Sequence, residues 1–147
     1  MSAAAEVAAN LLARLGQITR AKGYATDIGA NVFWGRINPP RLAQFVGLYE
    51  FEEDDVLDQK ADGMARLRVP FVIEAQAECE ADRPNETGHA LVADIKRGIF
   101  SPGLQLAGTI NEIRYVGRKI LPRDEGSKRV VVEVRIEVTM TENLFAP

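Results

Sequence analysis

One cysteine, one histidine and one tryptophan are all that this 147-residue chain holds of those three types. A lone cysteine, Cys79, cannot close an internal disulfide, which excludes an oxidised scaffold. A lone histidine, His89, leaves a metal site short of parts, because a zinc centre needs three or four ligands. Long apolar runs are missing too. No stretch approaches the ~18 apolar residues that a membrane span requires, and residues 1–10 lack the basic segment and apolar core of a signal peptide. The expectation is a soluble protein made in a cytoplasm, with no membrane partner. Basic charge is not in excess either. A net charge of −3 argues against a dedicated nucleic-acid binder, which would carry a basic face. There is no G-x-S-x-G elbow, phosphate loop or dinucleotide fingerprint, and Gly29, Gly35 and Gly47 are too scattered to cradle a phosphate. The sequence therefore nominates no catalytic residue, no cofactor and no metal.

What is present is the patterning of one α+β domain spanning residues 1–147. At this length a chain buries roughly 70% of its unfolded surface and needs no covalent staple. Residues 3–22 read as a helix, with Val7, Leu11, Leu12, Leu15 and Ile18 in one stripe and Arg14 off it. Gly23 is placed to end that helix in the left-handed conformation. Two short strands follow over residues 31–37 and 42–51, parted by Asn38-Pro39-Pro40. The second is apolar on both faces, which suits a strand covered twice, with a partner subunit as one possible cover. An acidic loop comes next, carrying Glu50, Glu52, Glu53, Asp54, Asp55 and Asp58.

The third strand is clearer. Leu67, Val69, Phe71, Ile73, Ala75, Ala77 and Cys79 share one parity, while Arg66, Arg68, Glu74, Gln76 and Glu78 share the other. Pro70 interrupts it and hints at an edge or a bulge. A second helix is expected from Pro84 to Ile99, buried through Leu91, Val92, Ile95 and Ile99. A fourth strand over residues 106–116 slips phase near Asn111-Glu112, as a β-bulge would make it do. A charged connection over residues 117–129 then leads into the strongest alternation in the chain. Val130, Val132, Val134, Ile136, Val138 and Met140 lie on one side of it. At ~3.3 Å per residue this last strand is about 36 Å long, so part of the final hairpin is expected to project as an arm. The order is α-β-β-β-α-β-β: an antiparallel or mixed sheet of about five strands, two helices on one face and a long C-terminal hairpin.

Over roughly residues 7–141 the chain resembles the tail terminator and tail-completion proteins of long-tailed phages, of the lambda type. The resemblance rests on the amphipathic first helix running into Lys22-Gly23-Tyr24-Ala25-Thr26, then Ile28-Gly29 and Val32, and on Leu48-Tyr49-Glu50. Phe71-Val72-Ile73, Ala93-Asp94-Ile95-Lys96, Gly108 and the alternating last strand continue it. Each of these is structural punctuation, so their order and spacing carry the likeness. It implies a virion structural protein: a ring, usually a hexamer, on the head-proximal end of the tail tube that stops tube polymerisation and offers the head–tail joining surface. The implied partners are further copies of the chain, a tail-tube protein and a head–tail connector protein, with DNA passing through the bore unbound. The chain would reside in the virion tail after assembly in host cytoplasm.

The acidic run from Glu50 to Asp58 is a solvated loop on the plain reading and a phosphate-repelling bore lining on the functional one. Trp34 and Arg36, the basic Arg118, Lys119 and Arg123, and the tail residues Leu144 and Phe145 are candidate subunit contacts. Core packing is the plain reading for Trp34, and a soluble hairpin tip for the basic run. Asp94 reads as part of a solvated helix face, with Arg97 or a neighbouring subunit as its alternative partners, and Cys79 as a small buried hydrophobe. The rival roles are a tail-completion, connector or tail-tube subunit, and, from other classes, a small enzyme built on His89 and Asp94 or a binding module of the same fold.

Overall fold

Two fifteen-residue strands with unbroken period-2 alternation, β4 (Met64–Glu78) and β6 (Arg129–Asn143), pair antiparallel from Met64↔Asn143 to Glu78↔Arg129. They form the spine of a computed structural model that describes residues 2–35, 41–50, 55–101, 108–122 and 124–147. Around the spine stand β1 (Val32–Trp34), β2 (Phe45–Tyr49), β3 (Asp55–Gln59) and β5 (Ile110–Ile120), with helices α1 (Ala3–Leu15) and α2 (Pro84–Phe100). The sheet runs β1-β2-β4-β6-β5, and β3 pairs with the first part of β4 on the β2 side. Every ladder is antiparallel except β1–β2, which makes the sheet mixed and the fold α+β, as the alternation implied.

Both helices lie on one face of this sheet. α2 starts at Pro84, where the missing N–H costs nothing, and buries Leu91, Val92, Ile95 and Ile99 onto β4 and β6. α1 starts with Ser2 capping the N–H of Ala5 and buries Val7, Ala8, Leu11 and Leu15 beside it. The shared core runs through Leu67, Val69, Phe71, Ile73 and Ala75 and through the even-numbered apolar residues of β6. Fully burying one such aliphatic side chain stabilises the fold by roughly 1.5–3 kcal/mol, so these two strands carry much of the drive to fold.

The structure departs from the sequence expectations in four places. There are six strands among the described residues, not five, because Asp55–Gln59 forms β3 rather than staying in the acidic loop. The first helix stops at Leu15, and residues 20–22 form a separate 3-10 turn closed by Gly23 at φ +86°. The early stop has a cause. The Ile18 carbonyl accepts from the N–H of Gly29 at 2.9 Å, and a Cβ on Gly29 would fall 2.6–2.8 Å from backbone atoms of Leu15 and Ile18. The chain crosses itself there, and helix cannot continue through the crossing. Third, β2 is buried along its whole length within its own chain, with Phe33 packed edge-on against Phe45 at 6.2 Å, so no partner is needed as second cover. Fourth, β6 does not project as an arm, because β4 matches it residue for residue.

One finer reading holds, and a second is refined: Pro70 marks neither an edge strand nor a bulge, but a gap in pairing on one flank of an inner strand. The phase slip near Asn111 is a register shift between Ile110 and Glu112, and Pro70 lies between the stretch of β4 that pairs with β3 and the stretch that pairs with β2.

Candidate assembly surfaces

Because successive side chains alternate, burying one parity of β4 and β6 under the helices turns the other parity to the opposite face, which no helix among the described residues covers. That face carries Arg66, Arg68, Val72, Glu74 and Gln76 from β4, and Val131, Glu133, Arg135, Glu137 and Thr139 from β6. β5 adds Glu112, Arg114 and Lys119 to it. Its charges are interleaved. Glu137 lies directly across from Arg114 and takes Arg68 on the diagonal, with one carboxylate oxygen 3.0 Å from Arg114 Nη2 and 3.4 Å from Arg68 Nε. Arg68 also reaches Asp55 on β3 at 4.0 Å. One like-charge pair breaks the pattern: Glu74 stands opposite Glu133. Burial, and secondly the Glu133 charge, push the Glu74 carboxyl above its ordinary range.

Among the described residues the sheet has open outer edges at β5, β3 and β1. β5 carries Arg114, Arg118 and Lys119 against one acid, Glu112, and is exposed along much of its length. Tyr115 and Phe100 are exposed on its helix side and line, with Ala93, Lys96 and Arg97, an open groove of about 540 Å³. Lys96 Nζ sits 4.5 Å above the Tyr115 ring. β3 is its counterpart, with Asp55 and Asp58, no basic residue, and an exposed Val56.

The sequence-nominated residues fall on these surfaces unevenly. Trp34 is half exposed and its indole N–H donates to Glu50 at 2.8 Å, so it is a surface residue rather than core, tied to the first acid of the run. Arg118 and Lys119 are on the β5 edge, as strand rather than hairpin tip. Leu144 and Phe145 are exposed, but Phe145 also lies over Gly63 in the β3–β4 turn, and Leu144 N–H donates to the Gly63 carbonyl. The tail therefore sits against its own β3–β4 hairpin. Asp55 and Asp58 belong to a strand, which corrects the all-loop reading. Arg36, Glu52, Glu53, Asp54 and Arg123 lie outside the described residues.

Asp94 is the largest correction. It is buried, not solvated, and its carboxylate accepts from Ala25 N at 3.1 Å, Thr26 N at 2.8 Å and Thr26 Oγ1 at 2.7 Å. Arg97 does not pair with it; the guanidinium stacks on Tyr24 at 4.4 Å and donates to the Gly23 carbonyl at 2.7 Å. Arg14, off the apolar stripe in sequence, is also buried. It donates to the Ile99 carbonyl near the end of α2, and desolvation lowers its pKa. These three side chains bind α1, residues 23–26 and α2 into one block. Only the adjacency of Thr26 to an aspartate-bearing helix could have hinted at this, and spacing does not encode it.

His89 is exposed on α2, and Cys79 packs partly buried against the core. Among the described residues no three His, Cys, Asp or Glu side chains are grouped to hold a metal, and no helix is long and apolar enough to cross a membrane. A cleft of about 430 Å³ between residues 20–26 and α2 is lined by Arg20, Glu78, Glu86 and Thr87. Neither His89 nor Asp94 lines it.

No protein-family model matches this chain, and no curated protein matches it. Among solved structures it is similar to a chain in the virion of a native gene transfer agent (GTA) particle. The two share 19% sequence identity and superpose with a TM-score of 0.59, over 92% of this chain and 97% of the other. At that identity the likeness speaks to the fold.

Proposed function

We propose that this protein is a structural subunit of a virion, and within that class a tail terminator: a ring at the head-proximal end of the tail tube. The observation that carries the reading is the near end-to-end likeness of its fold to a chain of an assembled particle. The surfaces described above support it. An uncovered sheet face, open charged edges and exposed Trp34, Tyr115, Val116 and Phe145 are features of a chain that gains by having neighbours. The polar groups drawn inside, by contrast, serve to hold α1 and α2 together.

The mechanism in this reading is geometric. Copies meet head to tail, and the rotation built into each contact closes the ring instead of extending a filament. One ring face matches the end of the tail tube, and the other lacks the surface that would recruit another tube ring and meets the head–tail connector instead. DNA passes through the bore without being held.

Imaging of intact particles tests this directly. The expected result is one ring of this chain per tail, at the head end, and overlong, headless tails when its gene is deleted. Density repeating along the tube would identify a tube subunit instead. Normal tails in the deletion would remove the protein from tail assembly altogether. In solution the ring should have about six times the 16.2 kDa mass of one chain.

A further inference from the structure

The sheet presents its neighbours with two outer edges of opposite charge, and their geometry is compatible. β3 bears Asp55 and Asp58 and no basic residue; β5 bears Arg114, Arg118 and Lys119 against Glu112. β3 runs antiparallel to β4, β4 to β6 and β6 to β5, so β3 and β5 are themselves antiparallel. A second copy in the same orientation can therefore lay its β3 against β5 and continue the sheet with an antiparallel ladder. We propose that β3 of one copy pairs with β5 of the next, so that the sheet runs on from subunit to subunit. This rests on the ring reading above and names the contact that would close it.

Both faces of the joined sheet agree with this pairing. Asp55 and Asp58 lie on the uncovered face, as their partners Arg68 and Arg66 do, and so do Arg114 and Lys119. Side chains of opposite sign then become neighbours across the new ladder. On the helix-covered face the incoming residue is Val56, which is exposed in the single copy and stands opposite the core residue Leu67. It meets Ile113 and Tyr115, beside the groove that Phe100 and Lys96 line. The third edge, β1, has three residues and no charge, and offers neither match.

Charge on an edge strand commonly serves only to repel other edges. Here it does that selectively. β5 against β5 sets cations against cations, and β3 against β3 sets acids against acids, so both two-fold pairings are disfavoured. The remaining pairing joins unlike patches, which is the kind of contact that closes into rings.

Two measurements on the full chain test it. Val56→Cys in one copy should form a disulfide with Ile113→Cys or Tyr115→Cys in another, because the facing Cα atoms of an antiparallel pair lie about 4.5–5.5 Å apart. Neither single variant should cross-link with itself. Asp58→Lys and Arg114→Glu, which this register makes neighbours, should each weaken self-association by about tenfold or more, with melting curves confirming that both stay folded. An equal mixture of the two should assemble again, since each repairs the other's edge. Closed rings that show no cross-link at either position and ignore both charge reversals would overturn the edge assignment and leave the ring reading standing. A chain that stays monomeric in solution and on tails would overturn both.

Discussion

At the junction of α1, residues 23–29 and α2, the two charged side chains that enter the interior, Arg14 and Asp94, are each tied to backbone groups of the same chain. Along β3 and β5 the charged side chains stay in solvent, and Arg114 shares its partner Glu137 with Arg68 of β4. The same residue types do different physical work in the two regions. A buried, hydrogen-bonded charge is costly to disturb, because the groups it satisfies cannot turn to water. An exposed ion pair contributes on the order of 0.2–1 kcal/mol, so its pattern can change without unfolding anything. The junction thus governs whether the subunit folds, and the edges are free to govern what it meets.

Substitutions at the junction should break this contrast most sharply. Gly29→Ala forces a methyl to within 2.6–2.8 Å of backbone atoms, and a destabilisation of about 3 kcal/mol or more is expected in denaturant titrations. Asp94→Ala orphans the N–H groups of Ala25 and Thr26, with an expected loss of about 3 kcal/mol, whereas Asp94→Asn, which keeps an acceptor, should lose less. An unchanged unfolding midpoint for either alanine variant would show that the junction does not set stability. Arg14→Ala should fall below these, at about 2 kcal/mol, through the Ile99 carbonyl it leaves behind.

The uncovered face should respond weakly, and in one case in the opposite direction. Arg114→Ala should lower stability by less than about 1 kcal/mol, in a salt-sensitive way. Glu74 is the exception, because its carboxyl is held above the ordinary range first by burial and then by Glu133. On raising pH the unfolded chain gives up this proton first, so stability falls from the unfolded pKa through the folded one, and the penalty is complete at neutral pH. Glu74→Gln should abolish that dependence and raise neutral-pH stability by up to about 1 kcal/mol. A thermal melt series from pH 4 to 7 that runs parallel for both proteins would remove the like-charge pair from consideration.

The long elements were legible in the sequence because their period is long. Seven apolar positions from Leu67 to Cys79 and six from Val130 to Met140 leave one register that buries them all, and α2 is announced by Pro84 and its stripe. The shift at Ile110–Glu112 was legible for the same reason, as a break in phase. β3 was not, since Asp55–Gln59 buries little and is ordered by pairing with β4, a partner that is distant in kind rather than in sequence. The early end of α1 was hidden because it depends on Gly29 meeting Ile18 across eleven residues. Among the candidate surface residues, Trp34, Leu144 and Phe145 are exposed and Arg118 and Lys119 lie on an edge. The parity that sets Asp55 and Asp58 on the face of Arg114 and Lys119 requires the register of four strands at once.

The last of the described strands in chain order is an inner strand of the sheet. β6 begins at Arg129 and stands between β4 and β5, giving each its long ladder. While a ribosome still holds those residues, β4 has no neighbour along that flank and β5 has none among the described strands, so the nascent chain cannot close its sheet step by step. A premature stop codon anywhere in that stretch removes an inner strand on which both β4 and β5 depend. Shortened translation products would then collapse or be degraded, and would not compete with finished copies for places in a particle.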